Sequence, residues 1–285
     1  MGGDPMTEAS VLFDAPGPRA LRTYRILSIV TVVALVALAV VVYWRMETTG
    51  QLDYDLWEPF VTPAYLEVIG RSLLETLRAA GLAIVGALLF GVVFAAGKLS
   101  DHRVVRWPCW VVVEFFRAVP LLMLIFFVWS LYGFSTNIIA PLVVGLILYN
   151  GSVLAETFRA GMNAVPTGQV EAAYALGLRK NAVMRIVQLP QAIKIMLPAL
   201  VSQCIVALKD TSLGYYIVAP GLTYAGRQIW NEFGNRLQTA LVLAAIYIVL
   251  NLLLSLFATW LQKRLSSKEG AAVAAIGGPG AQGGF

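Results

Sequence analysis

The sequence has little of the material from which soluble catalytic sites are built. Among its 285 residues there is one histidine, there are two cysteines, and only 13% are charged. A soluble domain is about one quarter charged. His102 sits in a short basic loop without a cluster of Cys or carboxylate companions, which argues against zinc or any other metal. Cys109 and Cys204 each lie inside an apolar run, so no disulfide framework is expected. An intramembrane enzyme would need a dyad at span depth, such as paired aspartates or serine with histidine, and the apolar runs hold neither. What the chain has instead is hydrophobicity: 59% of residues are apolar and the mean hydropathy is +0.75. That excess is too large for an enlarged soluble core and reads as a membrane protein. The net charge of +5 then belongs to membrane-flanking loops and lipid headgroups rather than to nucleic acid.

A spanning helix needs about 20 mostly apolar residues. Six stretches qualify and predict an all-α integral membrane fold of six transmembrane helices. They are roughly Ile26–Tyr43, Leu73–Ala96, Trp107–Leu131, Ile138–Phe158, Ile193–Leu208 and Leu237–Leu261. The first is read as a retained span, because no small-x-small cleavage site follows it and Tyr43-Trp44-Arg45 forms an interfacial anchor. Arg19, Arg22 and Arg25 precede the first stretch, and Lys98, Arg103 and Arg106 separate the second from the third. Arg159, Arg179, Lys180 and Arg185 separate the fourth from the fifth, and Lys263, Arg264 and Lys268 follow the sixth. These four regions alternate as the positive-inside rule requires, which predicts that both termini are cytoplasmic. The organisation expected is an N-terminal tail at 1–25, an N-terminal span at 26–44, and an extracytoplasmic amphipathic connector at 45–69. A core at 70–265 follows, holding a long cytoplasmic loop at 159–190, and then a disordered Gly- and Ala-rich tail at 266–285. Gly81, Gly86 and Gly91 in the second span predict close helix packing.

The long cytoplasmic loop has a pattern of its own. Pro166-Thr167 predicts a helix start, with Thr able to cap free N–H groups. Gly168–Leu176 is Ala-rich, and Gly177 is placed to end the helix in the left-handed conformation. Lys180 and Asn181 open a second amphipathic stretch. The result is a helix–turn–helix at the inner face, with Ala172 and Ala173 small enough for a partner groove to approach and Glu171 offering one charge. On physics alone this could equally be an ordinary connector. Gly91–Lys98 imitates a phosphate-binding loop but fails it, since five residues separate Gly91 from Gly97 and Leu99 follows Lys98.

The string EAAYALGLRKNAVMRIVQLP resembles the Glu-Ala-Ala motif of ABC-importer permeases. Glu171, Ala172, Ala173, Gly177, Leu189 and Pro190 stand at the family spacing, and Val187 stands where isoleucine is usual. EFFRAVPLLM at Glu114–Met123, AETFRAGMNAVPTGQVEAA ending at Ala173, and LKDTSLGYYI at Leu208–Ile217 are similar, in the same order, to segments of polar amino-acid permeases of the histidine, glutamine and glutamate type. The likeness covers roughly Ile69–Leu265, and the extra N-terminal span looks like that of actinobacterial glutamate permeases. It implies a five-helix type I importer core plus one N-terminal span, in a bacterial cytoplasmic membrane. It also implies that the chain is no enzyme and binds no cofactor, with ATP and Mg held by a separate ATPase dimer into which the loop docks. The other partners implied are a second permease subunit (a different chain favoured over a second copy), an extracytoplasmic substrate-binding protein and membrane lipid. The cargo implied is a polar amino acid, glutamate or glutamine first. The rival readings are a permease for another small polar solute, or a gradient-driven transporter or channel.

Ionisable groups inside spans are costly and face a cavity or a partner. Glu114 and Arg117, three residues apart, either form an ion pair that orders helix packing or act as a gate. Asn150, Ser152 and Glu156 in the fourth span, with Lys209, Asp210, Thr211 and Ser212 at the outer end of the fifth, are the candidate lining of a substrate pathway. The adjacent Lys209 and Asp210 could bind the two charges of a zwitterion or brace a subunit interface.

Overall fold

Prolines mark where several of these apolar runs become helices. Pro18 and Pro63 each stand in the first turn of a long helix, where a missing N–H costs nothing. The computed structural model describes residues 17–131 and 138–276, and every regular element among them is helical. The chain divides into two units, residues 1–57 and 58–285.

The first unit holds α1 (Pro18–Thr48) and the single turn α2 (Tyr54–Trp57). α1 begins before the predicted span, so residues 18–25 of the predicted tail are helical; residues 1–16 lie outside the described residues. Its apolar side chains from Leu21 to Trp44 are exposed on every face, as suits a helix whose solvent is lipid.

The second unit opens with a 3-10 turn at Glu58–Phe60 and α3 (Pro63–Lys98). α3 starts inside the predicted connector and runs unbroken through the second span. Next come α4 (Arg103–Ala118) and α5 (Leu121–Leu131). The single span predicted over Trp107–Leu131 is corrected here, for it is two helices bent by 105°. Pro120 is the cause. It has no N–H to continue the helix, and it pushes the residue before it out of the helical region. Val119 accordingly sits at φ −78°, ψ 129°. Hydropathy is blind to this break because both flanks are apolar.

α6 (Ile139–Asn163) lies at the centre and packs against α3, α4 and α5. The α3–α6 seam is close because glycines line it. A Cβ on Gly91 would stand 2.8 Å from Leu154 Cβ and 3.2 Å from the Ala155 nitrogen, and one on Gly151 would stand 2.8 Å from the Phe90 ring. Gly86 faces Ile147 in the same seam, whereas Gly81 meets nothing within 4 Å. Two of the three glycines predicted to serve packing therefore do so.

The loop that follows contains α7 (Thr167–Ala175), the short α8 (Lys180–Ala182) and a π-helical turn at Val183–Gln188. The turn leads into α9 (Leu189–Asp210), which packs on α6. A 3-10 stretch at Thr211–Ile217, α10 (Leu222–Phe233) and α11 (Arg236–Ile276) complete the chain. Thr76 on α3 pins α10: its Oγ1 accepts the Leu222 N–H at 2.8 Å and donates to the Ser72 carbonyl at 3.0 Å. α11 continues to Ile276, so residues 266–276 of the predicted disordered tail are helical, in keeping with alanines at 271, 272, 274 and 275. Residues 277–285 of that tail lie outside the described residues. Five helices are long and apolar enough to cross a membrane, and the bent α4–α5 pair makes six when counted as one broken span.

Candidate functional site

Three groups of residues stand out, and each is positioned by a helix end or a helix crossing. The first is the loop. α7 begins after Pro166 and stops at Gly177, whose φ of +77° is the left-handed value the sequence predicts. No side chain caps the start of α7, so the cap expected of Thr167 is not made. Glu171 and Ala172 are exposed, while Ala173 is buried at 4% exposure. The two alanines therefore differ: Ala172 presents the small surface, and Ala173 holds α7 down. Leu176, at 83% exposure, Leu189 and Pro190 extend the exposed face. Lys180, at the start of α8, donates to Asp101 in the turn between α3 and α4. That ammonium holds the Asp101 carboxyl below the ordinary carboxylate range.

The second group is an ionic cluster where α3, α4 and α6 meet. Lys98 ends α3 with a side chain only 4% exposed. Its Nζ donates to Glu156 Oε2 at 2.8 Å and to Glu114 Oε1 at 3.3 Å. Each carboxylate has a second cation one turn along its own helix. Arg117 reaches Glu114 at 3.2 and 3.3 Å, and Arg159 Nε reaches Glu156 at 3.0 and 3.1 Å. The sequence-predicted Glu114–Arg117 pair is present, but as the edge of a five-residue network. A buried ammonium persists at such a place only when carboxylates pair with it.

The third group lies between α6 and α9. Asn150 is buried at 1% exposure. Its Nδ2 donates to Asp210 Oδ2 at 3.3 Å, and its Oδ1 accepts from Gln203 Nε2 at 2.6 Å. Lys209 and Asp210, adjacent in sequence, point in different directions, as consecutive helical residues do. Asp210 turns in toward Asn150, and Lys209 is exposed. Ser152 and Thr211 are buried and spend their hydroxyls on the carbonyls of Leu148 and Leu208, so neither offers a free donor to a solute. Ser212 is half-buried and accepts through its carbonyl from Thr223. Glu156 belongs to the ionic cluster rather than to the Asn150 group.

Two participants escaped sequence reasoning. Gln203 carried a usable signal, a polar amide seven residues before Asp210 within an apolar run, hence on the same helical face. Lys98 carried none. As the last residue of a span it counts as one more inner-side charge, and its partners are 16 and 58 residues away.

Comparison with known proteins identifies the family. Residues 87–267 match the family model described as binding-protein-dependent transport system inner membrane component. The chain is 39% identical over 224 residues to the glutamate transport system permease protein of Corynebacterium glutamicum, covering 76% of this chain and 82% of that one. It is 32% identical over 206 residues to the probable glutamine ABC transporter permease protein GlnP of Bacillus subtilis, covering 70% and 94%. Among solved structures, an amino acid ABC transporter crystallised with histidines superposes with a TM-score of 0.67 at 30% identity, over 70% of this chain and 95% of that one. An inward-facing methionine ABC transporter shares the fold, with a TM-score of 0.63 at 18% identity over 72% and 99%. The chain thus belongs to the inner membrane components of binding-protein-dependent transport systems, and among them to the amino-acid permeases of ABC importers.

Proposed function

We propose that this permease carries glutamate or glutamine inward by alternating access, driven by a separate ATPase dimer that grips the loop around Glu171. The observation that carries the coupling role is the exposed edge of α7. Glu171 and Ala172 face outward, held from behind by buried Ala173 and closed off by left-handed Gly177. An exposed carboxylate beside a methyl-sized neighbour lets a cleft with a basic residue close around the helix. The positive-inside pattern supports a cytoplasmic loop and cytoplasmic termini. ATP and Mg reside on the ATPase, and this chain contributes no catalytic group. Glutamate and glutamine in the names of the relatives support the choice of cargo. A second, different permease subunit and an extracytoplasmic binding protein complete the assembly.

Asn150 and Asp210, with Gln203, are the polar groups at span depth that we assign to the solute path. A buried amide and carboxylate offer both a donor and an acceptor to an amino acid. Glu171→Arg tests the coupling. The variant should insert normally yet lose ATP-driven uptake of radiolabelled glutamate and glutamine. Wild-type uptake by that variant sinks the coupling role, and uptake that persists without the ATPase under an ion gradient favours a secondary transporter.

A further inference from the structure

We propose that the cavity at the meeting of α3, α4 and α6 binds the phosphate headgroup of an anionic phospholipid of the inner leaflet, an inference that rests on the inward orientation given above. The cavity measures about 630 Å³ and is lined by Lys98, Arg103, Arg106, Arg159, Glu114 and Glu156, together with Trp107 and Trp110. Four cations therefore face two carboxylates. Both carboxylates are already taken: Glu156 by Lys98 and Arg159, Glu114 by Lys98 and Arg117. Among the described residues Arg103 and Arg106 form no ion pair. Asp101, the acidic group near Arg106, is bound to Lys180. The cavity is left with two unmatched guanidinium groups, the donors best shaped for a phosphate.

The tryptophans separate a lipid from a free anion. Positions 103, 106, 107 and 110 fall on one face of α4 by helical spacing. Trp107 and Trp110 are 69% and 51% exposed in the lining of a charged cavity. Exposed indoles beside arginines are costly in water and favourable at the boundary of headgroups and acyl chains. A site for a small soluble anion has no use for them. The cavity also begins where Lys98 ends a span, which is the depth of the headgroups.

The experiment uses the purified full chain in detergent and brominated phosphatidylglycerol or phosphatidylcholine as quenchers of tryptophan fluorescence. The contribution of the cavity is the part that Trp107→Phe/Trp110→Phe removes. Phosphatidylglycerol should bind more tightly than phosphatidylcholine by about fivefold for each arginine, with the preference shrinking as salt rises. Arg103→Gln/Arg106→Gln should bring the two lipids to parity with the thermal midpoint unchanged, and Arg103→Lys/Arg106→Lys should retain part of the preference. Equal quenching by both lipids in the wild type overturns the proposal, as does a preference that survives the glutamine pair. Displacement of phosphatidylglycerol by inorganic phosphate at equal concentration assigns the cavity to a free anion and overturns it too. So does intact lipid preference in the glutamine pair with loss of ATPase co-purification, which makes the face a protein contact. No readout depends on transport, so failure here leaves the proposed function standing, and the reverse.

Discussion

Lys98 is a cation enclosed by protein, and its substitution shows what the cluster contributes. Lys98→Met keeps most of the unbranched stem but removes both charge-assisted hydrogen bonds, leaving Glu114 and Glu156 to their arginines. Such bonds are worth about 1.5–3 kcal/mol each before partial exposure of the acceptors discounts them. A net loss of about 1–3 kcal/mol is expected, read as a lower thermal midpoint in detergent; an unchanged midpoint would show that the arginines suffice. Val218 points the other way. It is the non-glycine residue at positive φ among those described, at 59°, and it is 40% exposed. A β-branched side chain there costs about 1–2 kcal/mol, against about 0.5–1 kcal/mol of extra chain entropy for glycine. Val218→Gly should therefore stabilise the protein slightly, by about 0.5–1 kcal/mol, in the same melting assay. Residues such as Asn150 and Asp210 were legible in the sequence because polar groups in apolar runs announce themselves. Their pairing was not legible, because they stand 60 positions apart in the chain.

Helices were legible in their existence and less so in their continuity. The apolar length that marks a span survives a proline, so α4 and α5 read as one. α10 had a signal that went unused: Leu222, Ala225, Gly226 and Ile229 recur at helical spacing and are all buried, with Gly234 closing the helix at φ +69°. At 12 residues it is too short to read as a span. The α3–α6 seam offers a direct comparison. Gly91→Val pushes a side chain into Leu154 and the backbone at Ala155, and overpacking of this kind costs about 1–3 kcal/mol. Gly81→Val meets open space and should leave the melting midpoint of the purified protein unchanged. The tether between the loop and the α3–α4 turn is testable by exchange. Asp101→Lys and Lys180→Asp should each lower coupled uptake, and the double swap should recover it. The folded Asp101 pKa is depressed, so the tether is intact at neutral pH and is lost as pH falls through that lowered value. Raised salt should weaken it, since both groups are substantially exposed.

For the whole molecule, orientation is the property on which the most depends and the one that composition addresses best. Carboxylates crowd the segment 47–67, which holds no Lys or Arg, and cations crowd the segments assigned inside. With Cys109 and Cys204 replaced by serine, Asp53→Cys should react with a membrane-impermeant maleimide in intact cells, and Leu176→Cys should react only after lysis. The reverse pattern would invert the topology and remove the loop from any cytoplasmic ATPase. The expected orientation rests on composition alone, because lipid and water sort residues by chemistry. The five-residue network and the cavity beside it depend on which helices meet, and no local pattern encodes that.

At Pro120 the backbone loses a helical donor, although Val119 N–H still reaches the Phe115 carbonyl and the Pro120 carbonyl accepts from Leu124. Pro120 has no N–H for the carbonyl of Phe116, and the next helix departs at 105°. Hydrocarbon cannot satisfy that carbonyl; only water or protein can. A bend of this kind at membrane depth has to be wrapped by protein or reached by water. Whatever covers residues 116–121 in the assembled importer must therefore offer that carbonyl a donor.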